Sequence, residues 1–275
     1  MPLYSLAQAS NATFQPSYTP VAIFVGGTTG IGQSMVQLLA RTLNGRVRLI
    51  VVGRNEAAAR EIITNLPPAT GEGAGCEFLS CNVTVMRNVH ETARHLSRIN
   101  FLVLSAGVFS VKGWEETEDG LDRKLASRYY SRWALANDLL PLLRNAKQAG
   151  EDTKVMSILG AAMLQSSTYN DLMMAEFAER NPEVSFIHVF PGYVRTAALT
   201  IDHWLATLLT PLLKLISYFF AVTPDVCAEH MLYALLDSTN GLSRRNEKGD
   251  DIGDKKFLHD ESAQKKLWDH TVVST

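Results

Sequence analysis

The chain has 275 residues, 46% of them hydrophobic and 20% charged, with a formal net charge of -2. That length suits one large α/β unit with a sizeable core, and the even charge balance offers no general field for a polyanion, so nucleic acid is excluded as a partner. Three cysteines, Cys76, Cys81 and Cys227, are too few for a disulfide framework and lack the paired spacing of a zinc or redox motif.

Residues 1–20 are polar, carry three prolines and lack the basic start and apolar run of a secretory leader, so they read as a short tail on a cytoplasmic protein. On that reading the glycosylation patterns at Asn11 and Asn82 are chance matches. Val21–Val25 is a short apolar run ending in glycines, followed by Ile31, Val36, Leu38, Leu39 and Leu43 at helical spacing. The strand and helix signals then alternate: strand 47–52, helix 56–66, strand 77–81, helix 86–96 and strand 101–105. Parallel strands need crossover connections, so this alternation predicts a doubly wound Rossmann-type parallel sheet with helices on both faces.

A long amphipathic helix is predicted over 119–145, a fifth strand over 155–159, a helix over 169–180 and a sixth strand over 184–190, with Pro191-Gly192 closing the sixth strand at the ligand-binding edge. Thr223 and Pro224 start a further helix as its cap and first residue. The charged stretch 242–256 reads as a loop or a weak seventh strand. The expected organisation is a tail (1–20), a dinucleotide-binding domain (21–240) and a C-terminal extension (241–275).

Gly26, Gly30 and Gly32 fall between the first strand and its helix, together with Thr28 and Ile31. There, backbone amides and the positive helix end can hold a pyrophosphate that side chains would block. A glycine turn that merely packs helix on sheet is the competing reading. At the end of the second strand stands Arg54, with no acid before Glu56. A guanidinium matches a 2'-phosphate, which points to NADP with NAD as the alternative; a solvated arginine is the other reading.

The spacing Val25-Gly26-x-x-x-Gly30-Ile31-Gly32 resembles the T-G-x-x-x-G-I-G of the short-chain dehydrogenase/reductase family, with Val25 in place of threonine. Ser105-Ala106-Gly107 is similar to the family's N-A-G, and Pro191-Gly192-Tyr193-Val194-Arg195-Thr196 to its P-G-x-x-x-T. The resemblance implies that Gly107 admits the cofactor, that Val194 and Thr196 contact its nicotinamide end, and that Asn82-Val83 replaces an Asp-hydrophobic pair at the adenine. Thr196 can equally serve as a helix cap. Tyr169-Asn170-Asp171-Leu172-Met173-Met174 looks like a divergent fungal group associated with secondary metabolism, and the family's dimers and tetramers make a homo-oligomer an option.

The family's catalytic pair, Tyr-x-x-x-Lys, is missing. Tyr169 is the candidate acid that remains, but Met173 stands four residues on. Counted from the fifth strand the tyrosine should fall near 172, and counted from Pro191 near 160, a mismatch of about three turns at 3.6 residues each. A segment lost between the fifth strand and its helix, by evolution or by a wrong exon boundary, accounts for both. Ser157 lies about a turn too early for the family's serine and reads either as a catalytic hydroxyl or as a strand residue. Arg128, at the family's helix-asparagine position, reads either as a surface arginine or as a fixed cation facing the cleft. His188 reads as a core histidine, Tyr129 and Tyr130 as packing residues, and the absence of H-E-x-x-H and G-x-S-x-G argues against metal-dependent and serine hydrolases.

Residues 204–222 are nearly all apolar, with Lys214 the single charge. The family analogy makes 197–222 an apolar lid over a hydrophobic small-molecule substrate, with membrane-surface contact as the rival. The expected function is an NADP-dependent oxidoreductase acting on a hydrophobic carbonyl or alcohol. The alternative is a catalytically impaired NADP-binding protein or a non-redox protein reusing the cleft.

Overall fold

A computed structural model describes residues 4–110, 112–159, 164–195, 221–253 and 260–275. Seven strands form one sheet: β1 (Val21–Val25), β2 (Arg48–Gly53), β3 (Gly75–Ser80), β4 (Phe101–Leu104), β5 (Lys154–Ile158), β6 (Ser185–Val189) and β7 (Gly241–Arg245). Their spatial order is β3-β2-β1-β4-β5-β6-β7, and every pairing is parallel. β1, β4, β5 and β6 are buried throughout because helices cover both faces, which is why β1 and β4 read as continuous apolar runs rather than alternating ones. The strand order reverses between β1 and β4, the place where doubly wound sheets open a crevice for ligands.

One face carries α2 (Gly30–Thr42), α3 (Glu56–Thr64) and α7 (Pro224–Asp237) around Phe24, Met35, Leu39, Val51 and Leu235. The other carries α4 (Met86–Arg94), the long helix α5, α6 (Leu164–Arg180) and α8 (Glu261–Ser274) around Leu102, Tyr129, Trp133, Phe177 and Phe186. α5 consists of an α turn Arg123–Leu125, a π turn Ala126–Tyr130 and an α stretch Ser131–Gln148. The expected caps form: Asn55 Oδ1 accepts from Ala58 N at 3.1 Å and Thr223 Oγ1 from Val226 N at 3.3 Å.

Two expectations differ from the structure, and one open reading is decided by it. Residues 1–20, read as a tail, contain α1 (Tyr4–Ala12), which packs on α7 through the buried Ala7 and through Asn11, whose Nδ2 donates to Glu229. Of the two readings of 242–256, the seventh strand is the one that forms, as β7. Its Arg244 and Arg245 are buried because Asp171 and Asp237 neutralise them. The C-terminal extension is likewise part of the fold, because α8 packs Trp268 edge-to-face against Trp133 and Phe177.

Candidate active site

A cleft of about 390 Å³ opens at the C-terminal edge of the sheet, over the reversal of strand order. Gly26, Thr28, Gly30, Ile31 and Gly32 form its floor on the α2 side. Gly26 has φ +90°, and a Cβ there would lie 2.6 Å from Ala106 N. A Cβ on Gly32 would lie 2.4 Å from Gly26 O. Both contacts are to backbone, so only glycine lets β1, β4 and the start of α2 come this close. The first amides of α2, which have no partner inside the helix, therefore face open space, the arrangement that holds anions. Ser105 lines the cleft and also braces it, its Oγ donating to Val25 O at 3.1 Å.

Beyond β2 and β3 the cleft is lined by Gly53, Arg54, Asn82, Val83 and Thr84. Arg54 is exposed and makes no ion pair or hydrogen bond with a described residue. Asn82 Oδ1 accepts from Thr84 N and Oγ1, at 3.2 and 2.9 Å, which orients its amide at the rim. These side chains and the glycine turn together fit a dinucleotide phosphate with its adenosine end over β2 and β3.

On the other side of the reversal the lining is Ala106, Gly107, Val108, Arg128, Arg132, Ile158, Leu159, Pro191, Gly192, Tyr193 and Val194. Of the two readings of Arg128, surface arginine fails: the residue is 8% exposed, faces the cleft, and donates from Nε to Val108 O at 3.0 Å. Arg132, one turn on, is 2% exposed. It donates to Ser157 Oγ at 2.5 Å, Ile158 O at 3.0 Å and Ala106 O at 2.8 Å. Burial lowers the Arg128 guanidinium from its ordinary value, and burial with the neighbouring Arg128 charge lowers Arg132 to about 9.

The other catalytic candidates lie off the cleft. Ser157 is fully buried on β5, capped by Arg132 and donating to Asn170 Oδ1 at 2.7 Å, which supports its reading as a strand residue. Tyr169 packs its ring on Tyr129 and its hydroxyl accepts from Gln165 Nε2 at 2.8 Å; it is not among the described residues lining the cleft. His188 sits in β6, its Nδ1 at 2.7 Å from Asp171 Oδ1. Burial alone would raise the Asp171 carboxyl, but His188 and Arg244 outweigh it and hold that carboxyl below its usual range. Thr196 and residues 197–220 of the expected lid lie outside the described residues.

Sequence reasoning missed Arg132, whose burial depends on carbonyls at the end of β5 and in the loop after β4, and Tyr193, 79% exposed at the rim. Among the described residues no group of acidic, histidine or cysteine side chains could hold a metal, and no helix is long and apolar enough to cross a membrane.

A family model described as KR domain matches residues 21–168, just over half of the chain. "Oxidoreductase AN1596" of Emericella nidulans is 35% identical over 218 residues, which cover 70% of this chain and 64% of that protein. The human "Polyprenol dehydrogenase" is 26% identical, with 95% of this chain and 87% of that one covered. Among solved structures, an NADPH-bound carbonyl reductase from chicken fatty liver superposes with a TM-score of 0.64 at 16% identity, over 86% of this chain and 99% of that one. The matched region runs from β1 through the glycine turn, Ser105-Ala106-Gly107 and β5 into α6, and on this sequence, sheet order and cleft the chain belongs to the short-chain dehydrogenase/reductase family.

Proposed function

We propose that the chain is an NADP(H)-dependent oxidoreductase acting on an apolar carbonyl or alcohol, in the cytoplasm and in a secondary-metabolic setting. The observation that carries this reading is the glycine cradle, where two Cβ atoms would strike backbone, running without a break into a rim that ends on the unengaged Arg54. When bound there, NADPH supplies the hydride. The chain orients the cofactor through the α2 amides and Asn82, and two fixed cations stand ready for negative charge at the reacting end. The apolar substrate class is supported by the 204–222 segment and by a relative whose name is polyprenol dehydrogenase. The setting is supported by the fungal relative, and the compartment by three free cysteines.

Titration calorimetry with NADPH and NADH tests the cofactor reading. Arg54→Ala should weaken NADPH about tenfold to a hundredfold, as expected for a lost charge-assisted pair, and NADH less than twofold. Equal weakening of both removes the case for NADP. Placement of Tyr169 outside the cleft favours a second reading, a nucleotide-binding protein without redox turnover. That reading wins if the protein binds NADPH and oxidises none of it across a panel of apolar ketones and aldehydes.

A further inference from the structure

Arg128 and Arg132 are adjacent turns of one helix, both more than nine-tenths buried, and neither forms an ion pair with any described carboxylate. All their described partners are neutral: Val108 O for Arg128, and Ser157 Oγ, Ile158 O and Ala106 O for Arg132. Two like charges four residues apart repel, and each buried cation carries a desolvation cost that neutral acceptors only partly offset. Arg132 Nε is buried with no hydrogen-bond partner, and the terminal nitrogens of Arg128 make no hydrogen bond with a described residue. Elsewhere in the molecule buried arginines are neutralised: Arg244 by Asp171 and Arg245 by Asp237. The cleft pair is built differently.

Its position identifies which ligand it faces. The glycine turn, Arg54 and Asn82 lie after β1, β2 and β3. The arginines instead touch the chain after β4 and the end of β5, across the reversal of strand order. A phosphate held at α2 and Arg54 is therefore on the other half of the cleft. We propose that Arg128 and Arg132 form a subsite for an anionic oxygen group on the substrate, a carboxylate, so that the substrate is an apolar molecule with a charged head. This rests on the oxidoreductase reading for the word substrate, while the anion site itself stands on the two arginines alone. A guanidinium pair offers a carboxylate several parallel donors, which a single lysine could not.

The test compares decanoate with 1-decanol, equal in chain length and differing in charge, by calorimetric titration of the protein with and without saturating NADPH. Decanoate should bind at least tenfold more tightly than 1-decanol, and Arg128→Gln should abolish that preference while changing NADPH affinity less than threefold. Equal affinities for the two probes on the unaltered protein overturn the proposal, and that comparison needs no variant to fold. A preference that survives Arg128→Gln in protein with an unchanged circular dichroism spectrum also overturns it. A tenfold loss of NADPH affinity in Arg128→Gln, without a decanoate preference in the parent, assigns the cations to the cofactor instead. If NADPH fails to bind while the Arg128-dependent preference persists, the cofactor reading falls and the anion site stands.

Discussion

The two halves of the cleft are built by different means. Over β1, β2 and β3 the site is made of backbone: glycines without side chains, helix amides, and a strand brace from Ser105. Over β4, β5 and β6 it is made of side chains: Arg128 stands at the position that the family resemblance gives to asparagine, Arg132 lines the cleft beside it, and the buried Met173 stands where a lysine would follow Tyr169. A backbone cradle tolerates almost no substitution, because any Cβ strikes atoms that cannot move aside. A side-chain site can be rebuilt one residue at a time, since each new group needs only a partner within reach. The contrast teaches that the backbone half and the side-chain half of this cleft are structurally separable, and that retention of one says little about the other.

The contrast breaks most directly at glycine. Gly32→Ala places a Cβ against Gly26 O and should weaken NADPH by about a hundredfold or more, close to 3 kcal/mol, whereas Gly107→Ala meets the Arg128 side chain at 3.4 Å, an ordinary contact distance, and should cost about tenfold or less. Similar losses at both positions, measured by titration, would dissolve the distinction. An effect of comparable size, on stability rather than on binding, is expected in the polar layer behind the side-chain half. Asp171→Asn should lower stability by about 3 kcal/mol near neutral pH, because it removes the carboxylate that neutralises the buried Arg244 and pairs with His188. The Asp171 carboxyl is held below its unfolded value, so its stabilisation is present above that value and fades as pH falls through the lower folded one. The gap between parent and variant in urea melts should accordingly narrow below about pH 4. The smallest effect is assigned to Tyr169→Phe, which should leave turnover within threefold; loss of turnover with intact NADPH binding would return Tyr169 to the role that the family resemblance first suggested for it.

Much of the scaffold was legible because its signals are local. β1 ends where its apolar run ends, and Gly26, Gly30 and Gly32 mark the turn by backbone need alone. Asn55 and Thr223 cap the helices they precede, since an N-cap bond spans only three residues. What stayed hidden depends on distant partners. Arg244 and Arg245 make β7 look like surface loop until Asp171 and Asp237 arrive from other elements. Arg132 carries no sequence mark, because its three acceptors come from β5 and from the loop after β4. α1 has a weakly apolar face and is fixed by Asn11 reaching Glu229, over two hundred residues away.

The π turn Ala126–Tyr130 interrupts α5 at the residue that meets the cleft. Such a turn closes over five residues where an α turn closes over four, so it absorbs one residue without disturbing the helix beyond it. Loss of a single codon inside it would restore α geometry and reset which side chain of 126–130 meets the cleft, while Arg123–Leu125 on one side and Trp133, Leu135 and Leu139 on the other kept their register. One inherited insertion or deletion could thus re-aim the wall of the cleft and leave the sheet untouched, giving this lineage a route to new ligands that ordinary point substitutions in a packed helix do not offer.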